Sequence, residues 1–333
     1  MSFKGILGKA KAKGEAFAAQ HNFQIPGQST TTTDTKPPPP PPPPPPRPAP
    51  QGYHPPAAPA QSHHHGGGPP PIPQNRPSYS AIHPYWTPSF SHHTHVSDNF
   101  RHQLGDHGWG NNELQNYVAD RENSFHEHGC LVLRAISCQG RYTSARLTSH
   151  MTLARDRGSL VASITPPCAP GVWPAFWLLP REPFTWPNDG EVDIMETWNG
   201  DGINHTCLHW GHFNGEDWNK HRVVETPVHH GRQEHHTYEF AWDQPEDGMG
   251  GKMVWYIDGR CVMKAVVPEG TRRLSDFQVI INVAMGGNVC QGMRPEDGTY
   301  DLRIHLLKMC DEPTGGWRNF EHDFVHGPEG HAM

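Results

Sequence analysis

The sequence predicts an all-β domain of two packed antiparallel sheets, a sandwich of jelly-roll type, preceded by a disordered proline-rich N-terminal region. Three observations carry this reading. Of the 36 prolines, 21 lie before residue 81. From about residue 95 the chain breaks into short apolar or alternating runs separated by Gly, Asp and Asn, the texture of strands and turns. No window beyond that point holds a sustained helical period with caps. Many short strands over roughly 220 residues imply two sheets packed face to face.

Residues 1–21 can form a short amphipathic helix, with Phe3, Ile6, Leu7, Ala10 and Phe17 near one face and lysines elsewhere. A solvated helix is expected ahead of a membrane-surface anchor. The run "FKGILG" is too short, and too interrupted by lysine, to be the apolar region of a secretory signal, and no later stretch can span a bilayer. The sequence leaves localisation open between the cytoplasm and unconventional export. Residues 22–80 hold ten consecutive prolines, Pro37 to Pro46, a threonine run, and His63 to His65 followed by three glycines. Such a stretch cannot bury enough apolar surface to offset its chain entropy, so it is expected to be disordered, with the prolines in an extended polyproline II conformation. With Arg47, that run suits a partner bearing an aromatic groove, of SH3, WW or profilin type.

The first 80 residues carry seven Lys or Arg against two acids, and the remainder 20 against 32. An acidic body argues against a nucleic-acid partner, which needs a basic face. Seven cysteines without short paired spacings indicate neither a disulfide framework nor a zinc site, and fit a reducing compartment.

The folded domain is expected over 81–312, with 313–333 as a C-terminal tail. Its clearest strands are "GCLVLRAISC", "GSLVASITPP", "CLHW", "HTYEFAW", "FQVIINVAMGG" and "YDLRIHLLKM", the last alternating Leu302, Ile304 and Leu306 with Asp301, Arg303 and His305. In "KMVWYIDGRCVMKAVV" two apolar runs are joined by Asp258-Gly259, a pair that favours a type I′ hairpin.

Within "GEVDIMETWNG", residues 190–200, three carboxylates fall inside six positions. In a strand Glu191 and Asp193 share one face, and Val192 and Ile194 the apolar other. Glu196 is then on the wrong face by one residue. A β-bulge at Met195 would repair that parity, since one extra residue returns the next side chain to the original side. Like charges so close favour an ionised carboxylate beside a protonated one. That pairing is what glycosidic cleavage needs, a nucleophile and an acid for the leaving oxygen. A flat strand would leave the Glu191 and Glu196 backbones on the order of 13 Å apart, so curvature and converging side chains must close the gap. Trp173, Trp177, Trp186, Trp198 and Trp210 cluster around the acids. Indole faces stack on sugar rings, whereas a solvated edge or a calcium site would not be framed this way.

"GEVDIMET" resembles the ExDxxE signature of glycoside hydrolase family 16 in its bulged, laminarinase-like form. "GWGNNELQNY", "YTSARL", "GVWPAFWLLP", "TCLHWG", "WYIDG" and "INVAMGG" recur in the family's order over about residues 96–310. The resemblance implies a concanavalin A-like jelly-roll and a retaining endo-glucanase acting on β-1,3 or mixed β-1,3/1,4 glucan. It implies Glu191 as nucleophile, Glu196 as general acid and base, and Asp193 as the partner that tunes their protonation. His209 would sit beside the cleft. Trp173, Trp177 and Trp186 would be stacking platforms, and Asn112, Glu113 and Arg146 hydroxyl-binding groups.

Many relatives hold a structural calcium, but this chain reads "VSDNF", with Asn99 where they carry Glu. Asp301 and the Gly129 carbonyl remain as donors, and one carboxylate fewer weakens such a site. No cofactor is expected. The histidine-rich "HHTH", "HEHG" and "HHGRQEHH" lack zinc spacing, so no metal site is expected there. Cys207 and His209 share a strand face, most simply as a buried cysteine beside a cleft histidine. Three further readings stay open: a glucan-binding protein without chemistry, an interaction protein built on the proline run, and a transglycosylase using the same covalent intermediate.

Overall fold

Alternating apolar and polar residues make the strands between Pro84 and Ala332, and the strands build two sheets. The computed structural model describes residues 83–333 apart from 213–216, 229–233 and 247–249. The helix expected at 1–21, the disorder expected over 22–80 and the proline-run partner lie outside the described residues.

One sheet has eight strands, in the spatial order His331–Ala332, His221–Pro227, Ile203–His209, Glu191–Glu196, Val172–Pro180, Phe277–Met285, Arg146–Thr152 and Phe100–His102. The other has ten, running from the hairpin Arg260–Val266 and Lys252–Ile257 through His236–Asp243, Arg157–Thr165, Gly298–Cys310 and Cys130–Cys138 to Arg141–Ser144 and Asn116–Tyr117. Pro84–Trp86 and Ser124–Glu127 join this second sheet as side pairings. Neighbours are antiparallel, except that Asn116–Tyr117 runs parallel to Arg141–Ser144. The hairpin turn has positive φ at both central residues, 51° at Asp258 and 75° at Gly259, as a type I′ turn requires.

The core lies between the sheets. From the eight-stranded side come Phe176, Leu178, Val192, Ile194, Ile281 and Val283; from the ten-stranded side Leu131, Leu133, Tyr238, Phe240, Trp242 and Trp255. Burying each such side chain contributes about 1.5–3 kcal/mol. Residues alternating with the first group, among them Trp173, Ala175, Trp177 and Asn282, line the cleft on the opposite face.

The C-terminal segment, expected only as a tail, holds regular structure. Gly316–His326 is an α-helix. Trp317, Phe320 and Phe324 form its apolar stripe and pack on Ala241, Val254 and Tyr256, on the side of the ten-stranded sheet away from the main core. The helix escapes a sequence search because its stripe spans only two turns and its N-terminus has no capping side chain. His331–Ala332 then pairs with Arg222 and Val223 at the edge of the eight-stranded sheet. Among the described residues, no helix is long and apolar enough to cross a membrane.

Candidate active site

The strand Glu191–Glu196 sits in the middle of the eight-stranded sheet, paired on both sides. Against Val172–Pro180, Asp193 lies opposite Trp177, Met195 opposite Phe176 and Glu196 opposite Ala175. The partner advances one residue while this strand advances two, so the extra residue falls between Asp193 and Met195. Ile194 and Met195 therefore both turn into the core, 1% and 0% exposed. Glu196 returns to the face of Glu191 and Asp193, and all three line one cleft enclosing about 500 Å³, part of it open solvent. The expected bulge is present, one position earlier than Met195.

Indole N–H groups hold the two glutamates. Trp186 Nε1 donates to Glu191 Oε2 at 2.6 Å, and Trp173 Nε1 to Glu196 Oε1 at 2.9 Å. Trp186 is placed by the tight loop before Glu191, where the Thr185 amide donates to the Asp189 carboxylate and the Asp189 amide to the Thr185 carbonyl. His209, directly opposite Glu191 on the next strand, brings Nε2 to 3.2 Å from Asp193 Oδ2 and 3.9 Å from Glu191 Oε1. Its Nδ1 meets His221 Nδ1 at 2.8 Å. The histidine thus buttresses the acids from the side and is absent from the lining itself.

Arg146 and Glu113 close one end. The Arg146 guanidinium is sandwiched between Trp109 and Trp177, 4.7 and 4.8 Å from their ring centres, and its Nε donates to Gln103. Such stacking compensates part of the desolvation of a buried cation. Burial nevertheless holds its pKa below the usual arginine value. Glu113 accepts from Gln115 at 2.6 Å and Tyr117 at 3.4 Å. Burial pushes its carboxyl up to about 7, with Gln115 and Arg146 pulling the other way.

Of the ten residues singled out from sequence, eight line this cleft: Glu191, Asp193, Glu196, Trp173, Trp177, Trp186, Glu113 and Arg146. His209 touches it through Asp193. Asn112 does not join them. It is exposed, with φ 55°, and its amide donates to Asn288 Oδ1, while the neighbouring Asn111 faces the cleft. The segment coils tightly, with the Asn111 and Glu113 amides both donating to the Gly108 carbonyl, so strand parity does not apply. Gly287 admits that coil, because a Cβ there would stand 2.5 Å from the Asn111 carbonyl oxygen. Trp198 stacks on His205 at 3.6 Å and Trp210 packs on the core, so neither is a cleft wall. Four contributors escape the sequence reading. Asn111 and Trp109 lie in the same coil, Asn204 lies one strand over, and Asn282, bonded to Trp177 Nε1 at 2.8 Å, is a polar residue inside an apolar strand.

The calcium site that the loss of a Glu at Asn99 already weakens does not fit the donors at Asp301 either. Arg134 donates to both Asp301 oxygens, at 2.7 and 2.9 Å, and Arg303 to one at 2.8 Å. Two guanidiniums already neutralise that carboxylate, and a cation would be repelled by both.

A β-sandwich that buries paired carboxylates on the floor of a tryptophan-walled cleft defines a carbohydrate-active protein. Comparisons sharpen the class. Residues 112–247 match the XgeA-like catalytic GH16 domain. The chain is 31% identical over 232 residues to the beta-glucanase of Rhodothermus marinus, covering 62% of this chain and 77% of that protein. It is 29% identical over 230 residues to the clotting factor G alpha subunit of Tachypleus tridentatus, of which it spans only 31%. The solved laminarinase from Rhodothermus marinus superposes with a TM-score of 0.59 at 28% identity, over 69% of this chain and 98% of the laminarinase. The chain belongs to glycoside hydrolase family 16, a family of glycosidases.

Proposed function

We propose that this chain is an endo-acting, retaining β-glucanase that cleaves β-1,3 or mixed β-1,3/1,4 glucan by double displacement. The observation that supports it most is the common face of Glu191, Asp193 and Glu196 on the cleft floor. The beta-glucanase and laminarinase of Rhodothermus marinus supply the substrate class by analogy.

In this reading Glu191 attacks the anomeric carbon while Glu196 gives its proton to the departing glycosidic oxygen. Water, deprotonated by Glu196, then releases the sugar from Glu191. The Trp186 indole N–H orients the nucleophile and disperses its charge, and the Trp173 indole does the same for Glu196. Asp193, between them and beside His209, tunes the two protonation states. Trp173, Trp177 and Trp186 offer ring faces to the sugars, and Glu113, Asn111 and Arg146 offer polar groups to hydroxyls. A cleft open to solvent suits internal attack on a polymer.

The test is release of reducing ends from laminarin and from mixed-link β-glucan by wild type and Glu191→Gln, with product sizes and anomeric configuration resolved. Cleavage to mixed-size β-anomers, abolished in the variant, is expected. Binding without cleavage by both proteins would instead favour a glucan-recognition role. Sugar transfer outpacing hydrolysis would favour a transglycosylase.

A further inference from the structure

Asp193 faces a second chemistry on its other side. It pairs directly with Cys207 on the neighbouring strand Ile203–His209, just as Glu191 pairs with His209. Cys207 and His209, two residues apart, therefore share its face. One carboxylate oxygen, the thiol sulfur and one imidazole nitrogen from these three residues lie within 4.8 Å of one another. The residues are 2%, 1% and 2% exposed, and Asp193 opens onto the cleft.

We propose that Asp193, Cys207 and His209 form a site for a borderline or soft divalent cation, zinc or cadmium, on the cleft floor, and that an ion bound there switches hydrolysis off. The inhibitory half rests on the glucanase reading above; the binding half does not.

The donor set is one nitrogen, one oxygen and one sulfur, and the thiolate selects zinc or cadmium over calcium or magnesium. Three protein ligands leave a fourth position open. Tetrahedral zinc separates its ligands by roughly 3.3–3.8 Å, so a contraction of about 1 Å, within side-chain rotation, closes the shell. His221 fits as the outer support. When the His209 Nδ1 proton is donated to His221 Nδ1, the His209 Nε2 lone pair is left facing Asp193, the tautomer a metal requires. On binding, the Cys207 thiol gives its proton to solvent and the sulfur–metal bond forms, with no change of oxidation state. The ion then occupies the Asp193 carboxylate and sets a double positive charge beside Glu191. The site is invisible to a search for short ligand spacings, because register across two strands assembles it.

The chain carries 26 histidines, so loosely held surface zinc must be separated from this site. The full chain is titrated with cadmium, reading the thiolate-to-cadmium charge-transfer absorbance as wild type minus Cys207→Ala. In parallel, laminarin hydrolysis is followed against zinc, with chelator reversal. Expected are a saturable band in wild type that the variant lacks, and inhibition that needs at least about tenfold more zinc in the variant. Identical bands, no band, or equal zinc sensitivity would overturn the proposal. Cys207→Ser replaces the alanine variant if thermal melting shows the latter unfolded. Should the protein cut no glucan, the absorbance difference still decides the metal site, while the hydrolase reading fails by itself.

Discussion

Asn204 holds both sides of the bulge in the carboxylate strand: its Oδ1 accepts the Glu196 N–H at 3.2 Å, and its Nδ2 donates to the Ile194 carbonyl at 3.3 Å. A bulge frees backbone groups from the ladder, and this fully buried amide takes up two of them. Asn204→Ala is therefore expected to cost about 1–3 kcal/mol of stability. It should also lower kcat by roughly a hundredfold, because Glu196 loses its fixed position. Thermal melting and steady-state kinetics check this, and an unchanged kcat would confine Asn204 to stability.

Trp186 combines a ring face in the cleft with an N–H on Glu191. Trp186→Phe keeps the face and removes the bond. A hydrogen bond to a charged group contributes about 1.5–3 kcal/mol, so kcat should fall roughly ten- to a hundredfold with KM little altered. Trp177→Ala should do the reverse, raising KM by roughly three- to tenfold.

Glu113 makes stability depend on pH. Burial raises its folded pKa from the ordinary 4.5 to about 7, so the folded state binds the proton more tightly. This contribution is complete below about pH 4.5 and is lost as pH rises through about 7. His102 and His305, whose pKa values burial lowers, act in the opposite sense. Urea midpoints of wild type minus Glu113→Gln, measured across that range, should fall with rising pH. A flat difference would reject the buried-acid account.

Chelation gives a fourth expectation. With Asp301 already neutralised by Arg134 and Arg303, EDTA should leave the melting temperature unchanged. Asp301→Ala should lower it, since two guanidiniums would face each other without the carboxylate between them. A chelator-induced fall restored by calcium would contradict this.

Much of the molecule could be read in advance where periodicity governs it. Strand alternation placed Leu302, Ile304, Val192 and Ile194 in the core, and parity alone demanded the irregularity before Glu196. Local pattern failed where the backbone leaves a strand or the partner is remote. Asn111 and Asn112 exchange roles in a coil of positive-φ residues, with Trp109 at 44° and Asn112 at 55°. Asn204 and His221 act through register set by neighbouring strands, which no short stretch of sequence encodes. The helix Gly316–His326 forms because Phe320 finds a hydrophobic patch on the sheet, a tertiary cause with little local signal.

Counted in rungs of the ladder, Glu196 stands two from Asp193, since Ala175 is two positions from Trp177. A chain one residue shorter, lacking Ile194 and running flat, would place its third acid on the same rung and the same face. The inserted residue thus leaves the pitch of the acids along the sheet untouched and adds apolar volume beneath them. At this strand, gain or loss of a single core residue is a quieter change than exchange of any acid, and insertions elsewhere in the strand, which would reverse the facing of everything beyond them, are the ones the cleft could not absorb.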